Sequence, residues 1–251
     1  MSKYPDLYPY SAEEARRLNE LDQWRESYRA NNACKKAIEG AIAKDFDGMH
    51  LKVGCAKGVI QEFGFQRVRF VLANTLKEKS YDGRFSIRNK EWFGQTFVPP
   101  DKDHNSSFVV DSHPFVLNGF MDEFLQAYQA LGLFDHKHCI QEDGGVDYEG
   151  KIIILDPSSL KDECLSPENQ LWLAERGIGC SPTASGRAVY ATCLADGERV
   201  RWDRSQFLGA ANEELLPAWA KEQAEKLRSG QQISTVSAPV DGPIHGMTQS
   251  M

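Results

Sequence analysis

The residues able to do chemistry gather in a few places along the chain. Gly177-Ile-Gly-Cys-Ser-Pro-Thr-Ala-Ser-Gly186 is a loop of small residues flanked by Arg176 and Arg187. Small residues let backbone N–H groups approach an anion, which makes Arg176, Ser181, Thr183, Ser185 and Arg187 candidate binding residues for a phosphate-bearing ligand. No Gly-Lys-Ser/Thr closes the loop, so it is not a Walker loop. A tight turn fixed by Pro182 is the competing reading. Arg199, Arg201, Trp202 and Arg204 form a second constellation, a basic and aromatic strand end. Arginine and tryptophan suit both protein hot spots and nucleic-acid backbones and bases. Strand alternation puts Arg199 and Arg201 on one face and Trp202 on the other, with Trp202 expected in the core.

Two further groupings carry less. Asp135, His136, His138 and Cys139 are metal-capable, yet structural zinc takes four ligands and no second pair at metal spacing follows. His104 or Cys164 would have to arrive through the fold, so no metal and no cofactor are expected. Ser112-His113 lacks a Gly-x-Ser-x-Gly elbow to expose a nucleophile. His113 before Pro114 fits a helix start, with Ser112 or Asp111 as the cap.

These groups must be held by elements that the patterning marks out. Ser11-Ala-Glu-Glu14 has the capping-box form, and Leu18, Leu21, Trp24 and Tyr28 follow at helical steps. The apolar series continues through Cys34, Ile38 and Ile42 to Phe46, as one long helix or as two; a break near Asn31-Asn32, whose amides compete for the backbone, is favoured over buried amides that recognise something. Helices are predicted over 55–63, from Phe65 to Leu76, over 89–96 and from Pro114 to Leu131. Lys151-Ile-Ile-Ile-Leu-Asp156 reads as a strand. Short helical pieces are predicted over 158–163 and 167–175. Asp196-Gly197 between two strand-like runs signals a β-hairpin, and Glu213 to Leu227 a closing helix. The fold class is therefore α+β: a mostly helical domain over 1–131, an acidic linker over 132–150, a small α+β domain with a hairpin over 151–228, and a disordered tail over 229–251.

The chain of 251 residues carries 29 basic and 36 acidic side chains and is 41% hydrophobic, an ordinary globular composition. The segment from Asp135 to Glu175 holds ten acids and three bases, so the whole net charge of −7 lies there. A solvated connection, or an acidic face for a basic partner, would follow. With a sequence pI near 5.4 and no broad basic surface, nucleic acid is disfavoured as a partner. No apolar run approaches the ~18 residues of a membrane helix, so no membrane association is expected. Met1 to Tyr10 has no signal-peptide form. Six scattered cysteines without a Cys-x-x-Cys pair read as reduced thiols in a cytoplasmic protein.

Tyr8-Pro-Tyr-Ser-Ala12, Leu21 to Arg29, Ala33-Cys-Lys-Lys-Ala-Ile38, Val71-Leu-Ala-Asn-Thr75, Asp82-Gly-Arg-Phe-Ser86 and Val110-Asp-Ser-His-Pro114 together resemble domain of unknown function 3849. The resemblance spans about residues 4–131. Ser166-Pro-Glu-Asn-Gln-Leu171 and Gly179-Cys-Ser-Pro-Thr-Ala-Ser-Gly-Arg187 resemble a module of similar mobile-element proteins. The resemblance implies a bacterial cytoplasm and a mobile-element cargo gene, and carries no catalytic roles. The expectation is a non-catalytic protein that binds another macromolecule, in first place a protein and in an anti-defence setting. The alternative is an enzyme or sensor holding a phosphate-bearing ligand at Gly177–Arg187.

Overall fold

The computed structural model describes residues 3–101 and 103–230. The chain divides into two units, one of residues 1–132 with Lys161–Leu165 and one of 133–160 with 166–251. Residues 231–251, most of the expected disordered tail, lie outside the described residues.

The first unit is helical. Ser11 caps α1 (Ala12–Leu18), its hydroxyl accepting from the Glu14 N–H. Asn19, at φ 60, ends that helix in the left-handed conformation, which asparagine tolerates better than most residues. The chain restarts at once as α2 (Leu21–Asp45), twenty-five residues without interruption. The break expected at Asn31-Asn32 is thus corrected to Asn19. Asn31 is buried inside α2 because its carbonyl oxygen accepts from the Arg67 guanidinium, and Asn32 donates back to the Tyr28 carbonyl. Four more helices follow: α3 (Lys57–Phe63), α4 (Phe65–Glu78), α5 (Ile87–Gly94) and α6 (Pro114–Gln129). Their apolar residues recur at three- and four-residue steps and meet in one core, including Ile38, Val68, Leu72, Leu117, Phe120 and Phe124, all fully buried. Each such side chain contributes roughly 1.5–3 kcal/mol by leaving water. His113, rather than Ser112 or Asp111, is the N-cap of α6, its ring accepting from the Phe115 N–H.

Arg67 is 2% exposed, and its guanidinium donates to the Ser27 carbonyl and hydroxyl, to Asn31 and to the Pro5 carbonyl, with the Asp162 and Asp6 carboxylates in electrostatic reach. It thereby pins the segment before α1. Burial pulls its pKa below the ordinary arginine value. At the start of α4, Asp162 from the 161–165 segment accepts from the Gln66 N–H.

The second unit holds a five-stranded antiparallel sheet in the order β4-β3-β2-β1-β5. Its strands are β1 (Ile152–Leu155), β2 (Leu171–Arg176), β3 (Ala188–Cys193), β4 (Arg199–Asp203) and β5 (Phe207–Ala210). The fold is α+β, with the predicted hairpin present as β3 and β4. The helix predicted over 167–175 is corrected to a short 3-10 turn (Glu168–Gln170) leading into β2, where pairing on both edges overrides a weak local pattern. Residues 158–163 likewise form 3-10 turns, Pro157–Ser159 and Asp162–Cys164. The closing helix starts later than expected: Pro217 is the N-cap of α7 (Ala218–Arg228). Ala220 and Ala224 of α7 pack on Ile152, Ile154, Leu171, Leu173 and Leu194, all from one sheet face. The opposite face carries Trp172, Trp202 and Phe207, in edge-on contact at 5.1 and 6.3 Å, with Tyr148 against Phe207. In the segment expected as a solvated linker, Cys139, Val146 and Tyr148 are buried, and Cys139 bridges to Ala211 beside β5.

Candidate functional site

The structure separates the predicted binding residues into two groups. Arg204 is half-buried and bound to the backbone of the second unit. Its guanidinium donates to the carbonyls of Gly179 (2.7 Å), Cys180 (2.5 Å) and Val146 (2.6 Å), and lies 3.7 Å from the centre of the Tyr148 ring. It holds the start of the Gly177–Arg187 loop by its carbonyls. A Cβ at Gly179 would lie 2.3 Å from the Arg187 carbonyl, so this glycine allows the chain to double back on itself. Arg187 pairs with Asp203 at 2.8 Å, and the Ser181 and Thr183 hydroxyls lie 3.2 Å apart. Ser185 is exposed nearby in sequence. Asp203 is held far below the usual carboxylate range, at about 2, first by the Ser205 hydroxyl and then by Arg187.

Arg176, Arg199 and Arg201 lie elsewhere, on the sheet. The register places Arg176 of β2 opposite Tyr190 of β3, and Tyr190 opposite Arg201 of β4. One arginine–tyrosine–arginine row therefore crosses three strands, with the Arg176 guanidinium 5.6 Å from the Tyr190 ring centre. All three side chains are exposed, Tyr190 at 43%. Among the described residues no carboxylate pairs with Arg176 or Arg201. Beside the row, Arg199 pairs with Glu175 at 3.2 Å, and the Thr192 hydroxyl donates to the same carboxylate. Thr192 stands opposite Leu173, so this face continues the one that α7 covers over β1 and β2. Trp202 pairs with Val189 on the other face, among aromatic rings. Its indole N–H is buried without a hydrogen-bond partner among the described residues. Tyr190 is the residue the sequence reading missed. The signal was the Asp196-Gly197 turn, which fixes position 190 opposite 201.

The first unit contributes a cleft that no sequence motif announced. His104 Nδ1 lies 2.6 Å from Asp101, whose other oxygen accepts from the Ala12 N–H at 3.0 Å. The His104 ring meets Trp24 and Tyr28 edge-on at 4.7 and 5.6 Å. Tyr28 in turn donates to Ser107, at 2.6 Å. The space among these groups is about 20 Å³, enough for one water molecule. Tyr8 and Tyr10 line both this cleft and a wider neighbouring groove of about 320 Å³. In the His136–Cys139 stretch, His138 is occupied by Asp135 at 2.8 Å as part of a capping box. Among the described residues no three histidine, cysteine or acidic side chains converge as metal ligands.

The tyrosine-lined cleft and the helices around it coincide with the stretch that a family model covers. Residues 7–129 match the family described as "Protein of unknown function (DUF3849)". The DUF3849 match thus runs from just before α1 to the end of α6, and it includes Asp101, His104 and both tyrosines. No curated protein and no solved structure matches the chain. Among the described residues no helix is long and apolar enough to cross a membrane.

Proposed function

We propose that this chain is a non-catalytic binding protein that engages another protein through the bare part of its C-terminal sheet. The observation that carries the reading is the Arg176–Tyr190–Arg201 row. Two arginines without a carboxylate partner and an exposed tyrosine are the side chains that dominate protein interfaces energetically. They lie where α7 ceases to cover its sheet face, on a rigid antiparallel scaffold that needs no reordering to bind. The partner surface that complements the row is acidic. The setting we propose is a bacterial cytoplasm, with the chain encoded as an accessory, anti-defence protein of a mobile element. The phosphate-ligand alternative at Gly177–Arg187 has less support, because two carbonyls of that loop face Arg204 and Arg187 is paired to Asp203.

The test is an affinity capture from bacterial lysate with the full chain, followed by native mass spectrometry. Wild type is compared with the double variant Tyr190→Ala/Arg201→Ala and with Arg88→Ala, an exposed control in α5. A protein retained by wild type and the control but lost from the double variant supports the reading. Equal retention by all three places the interface elsewhere. Turnover of nucleotides or nucleic acid by the purified chain with Mg²⁺ would overturn the non-catalytic assignment.

A further inference from the structure

A groove of about 320 Å³ belongs to the first unit. Tyr8 and Tyr10 form its aromatic corner, with ring centres 5.7 Å apart and planes at 78°. Asp6, Glu20 and Glu26 supply carboxylates to its lining, and no lysine or arginine lines it. The three acids differ in how they are neutralised. Asp6 pairs with Lys161 at 3.1 Å. Glu20 accepts from the Tyr8 hydroxyl at 2.8 Å, a neutral donor that orients the carboxylate and leaves its charge. Among the described residues, Glu26 has no basic partner. Burial, then the bond to Glu20, pushes the Tyr8 hydroxyl up to about 12.

Two rings at nearly a right angle beside uncompensated carboxylates are the elements of a cation-binding corner. The floor is fixed, since Arg67 binds the Pro5 carbonyl and Ser27 accepts from the Tyr8 N–H at 3.0 Å. The groove is open, with Tyr10 48% exposed and Glu26 on the surface. Small-molecule sites enclose most of their ligand. An open trough of this size fits one long side chain presented by a larger partner. We infer that the groove between the Pro5–Tyr10 segment and α2 is a docking site for an arginine side chain on an extended segment of a partner protein. The flat guanidinium stacks on a tyrosine face while its N–H groups reach Glu20 and Glu26, a match that the point charge of a lysine ammonium does not offer.

The experiment uses the full chain and three probes: the capped peptide Gly-Ser-Gly-Arg-Gly-Arg-Gly-Ser-Gly, its citrulline counterpart, and spermidine. Binding is read by NMR shifts of the tyrosine ring and Glu26 backbone signals. The arginine peptide is expected to shift these signals saturably, the citrulline peptide to bind at least tenfold more weakly, and Glu26→Gln or Tyr10→Ala to lose at least fivefold. Both substituted residues are exposed, so thermal melting of each variant should match wild type. No saturable shift at millimolar arginine peptide, or equal binding of the citrulline peptide, overturns the inference. Spermidine binding at the same residues more tightly than the peptide also overturns it, because the occupant would then be a small polyamine.

Discussion

Replacing Arg204 with alanine should destabilise the sheet unit severely while leaving the exposed arginine row intact. The guanidinium makes three charge-assisted bonds to carbonyls, at 2.5, 2.6 and 2.7 Å, and lies 3.7 Å from the Tyr148 ring centre. Hydrogen bonds to charged groups contribute about 1.5–3 kcal/mol each. The three cannot simply be added, because the Cys180 carbonyl keeps a bond from the Tyr148 N–H at 3.0 Å and water reaches a half-buried site. A net loss of about 3 kcal/mol remains, and in a domain near 100 residues this lowers the melting temperature by roughly 12–24 °C. Lysine at the same position offers one compact donor group in place of a planar fork, so Arg204→Lys should recover less than half of the loss. The assay is thermal and urea unfolding followed by near-ultraviolet circular dichroism, since Trp172 and Trp202 pack close by. Arg201→Ala, on the exposed face of the same hairpin, is the reference and should stay within about 0.5 kcal/mol of wild type. If Arg204→Ala melts within 2 °C of wild type yet loses a bound ligand, Arg204 faces a ligand and the structural role is refuted.

Other outcomes follow from single contacts. Gly64→Ala would place its Cβ 2.2 Å from Asp162 Oδ2 at a φ of +79°, so it should cost about 2–3 kcal/mol in urea unfolding through backbone strain and loss of the Asp162 cap; a loss below 0.5 kcal/mol would refute this. Asp203, held at about 2 by Ser205 and Arg187, adds stability that is complete above the ordinary carboxylate range and lost as pH falls toward 2. The stability gap between wild type and Asp203→Asn should therefore be constant from pH 7 to about 5, narrow below pH 4 and close only below about pH 2. It should not exceed ~1 kcal/mol, because the side chain is 43% exposed. Burial pushes Cys34 and Cys193 up to about 12, and Cys55, Cys139 and Cys180 to about 11; Cys164 is the one cysteine that is not buried. A disulfide reagent at pH 8 should label one thiol quickly in the native protein and six in denaturant.

The parts of the fold that were legible are those whose determinants are local. Ser11 with Glu14, the run from Phe65 to Leu76 and the Asp196-Gly197 turn each carry their instruction within a few residues. Asn31 does not: its amide argues against a helix, and the partner that justifies it, Arg67, lies 36 residues away. Leu171-Trp-Leu-Ala is too short for its period to distinguish helix from strand, and only β1 and β3 on either side decide it. The site divides along the same line. Strand alternation was enough to put Arg199 and Arg201 on one face. Arg204 looked equivalent to them in sequence, yet its acceptors are backbone carbonyls, which no side-chain pattern records. Asp101 and His104 stand in a polar irregular stretch whose role emerges only when Trp24 and Tyr28 are brought against it.

The Asp162 contact at the start of α4 also has a bearing on biosynthesis. The helical unit is not finished when Gly132 leaves the ribosome, because the carboxylate that caps α4 is encoded thirty residues later. At roughly 5–20 residues per second, that delay is a few seconds. During it, the Gln66 N–H at the start of α4 is without the Asp162 carboxylate that it meets in the finished unit. A nascent chain stalled before Lys161 should therefore carry a frayed α4, and chaperones would meet the helical unit in that unfinished state.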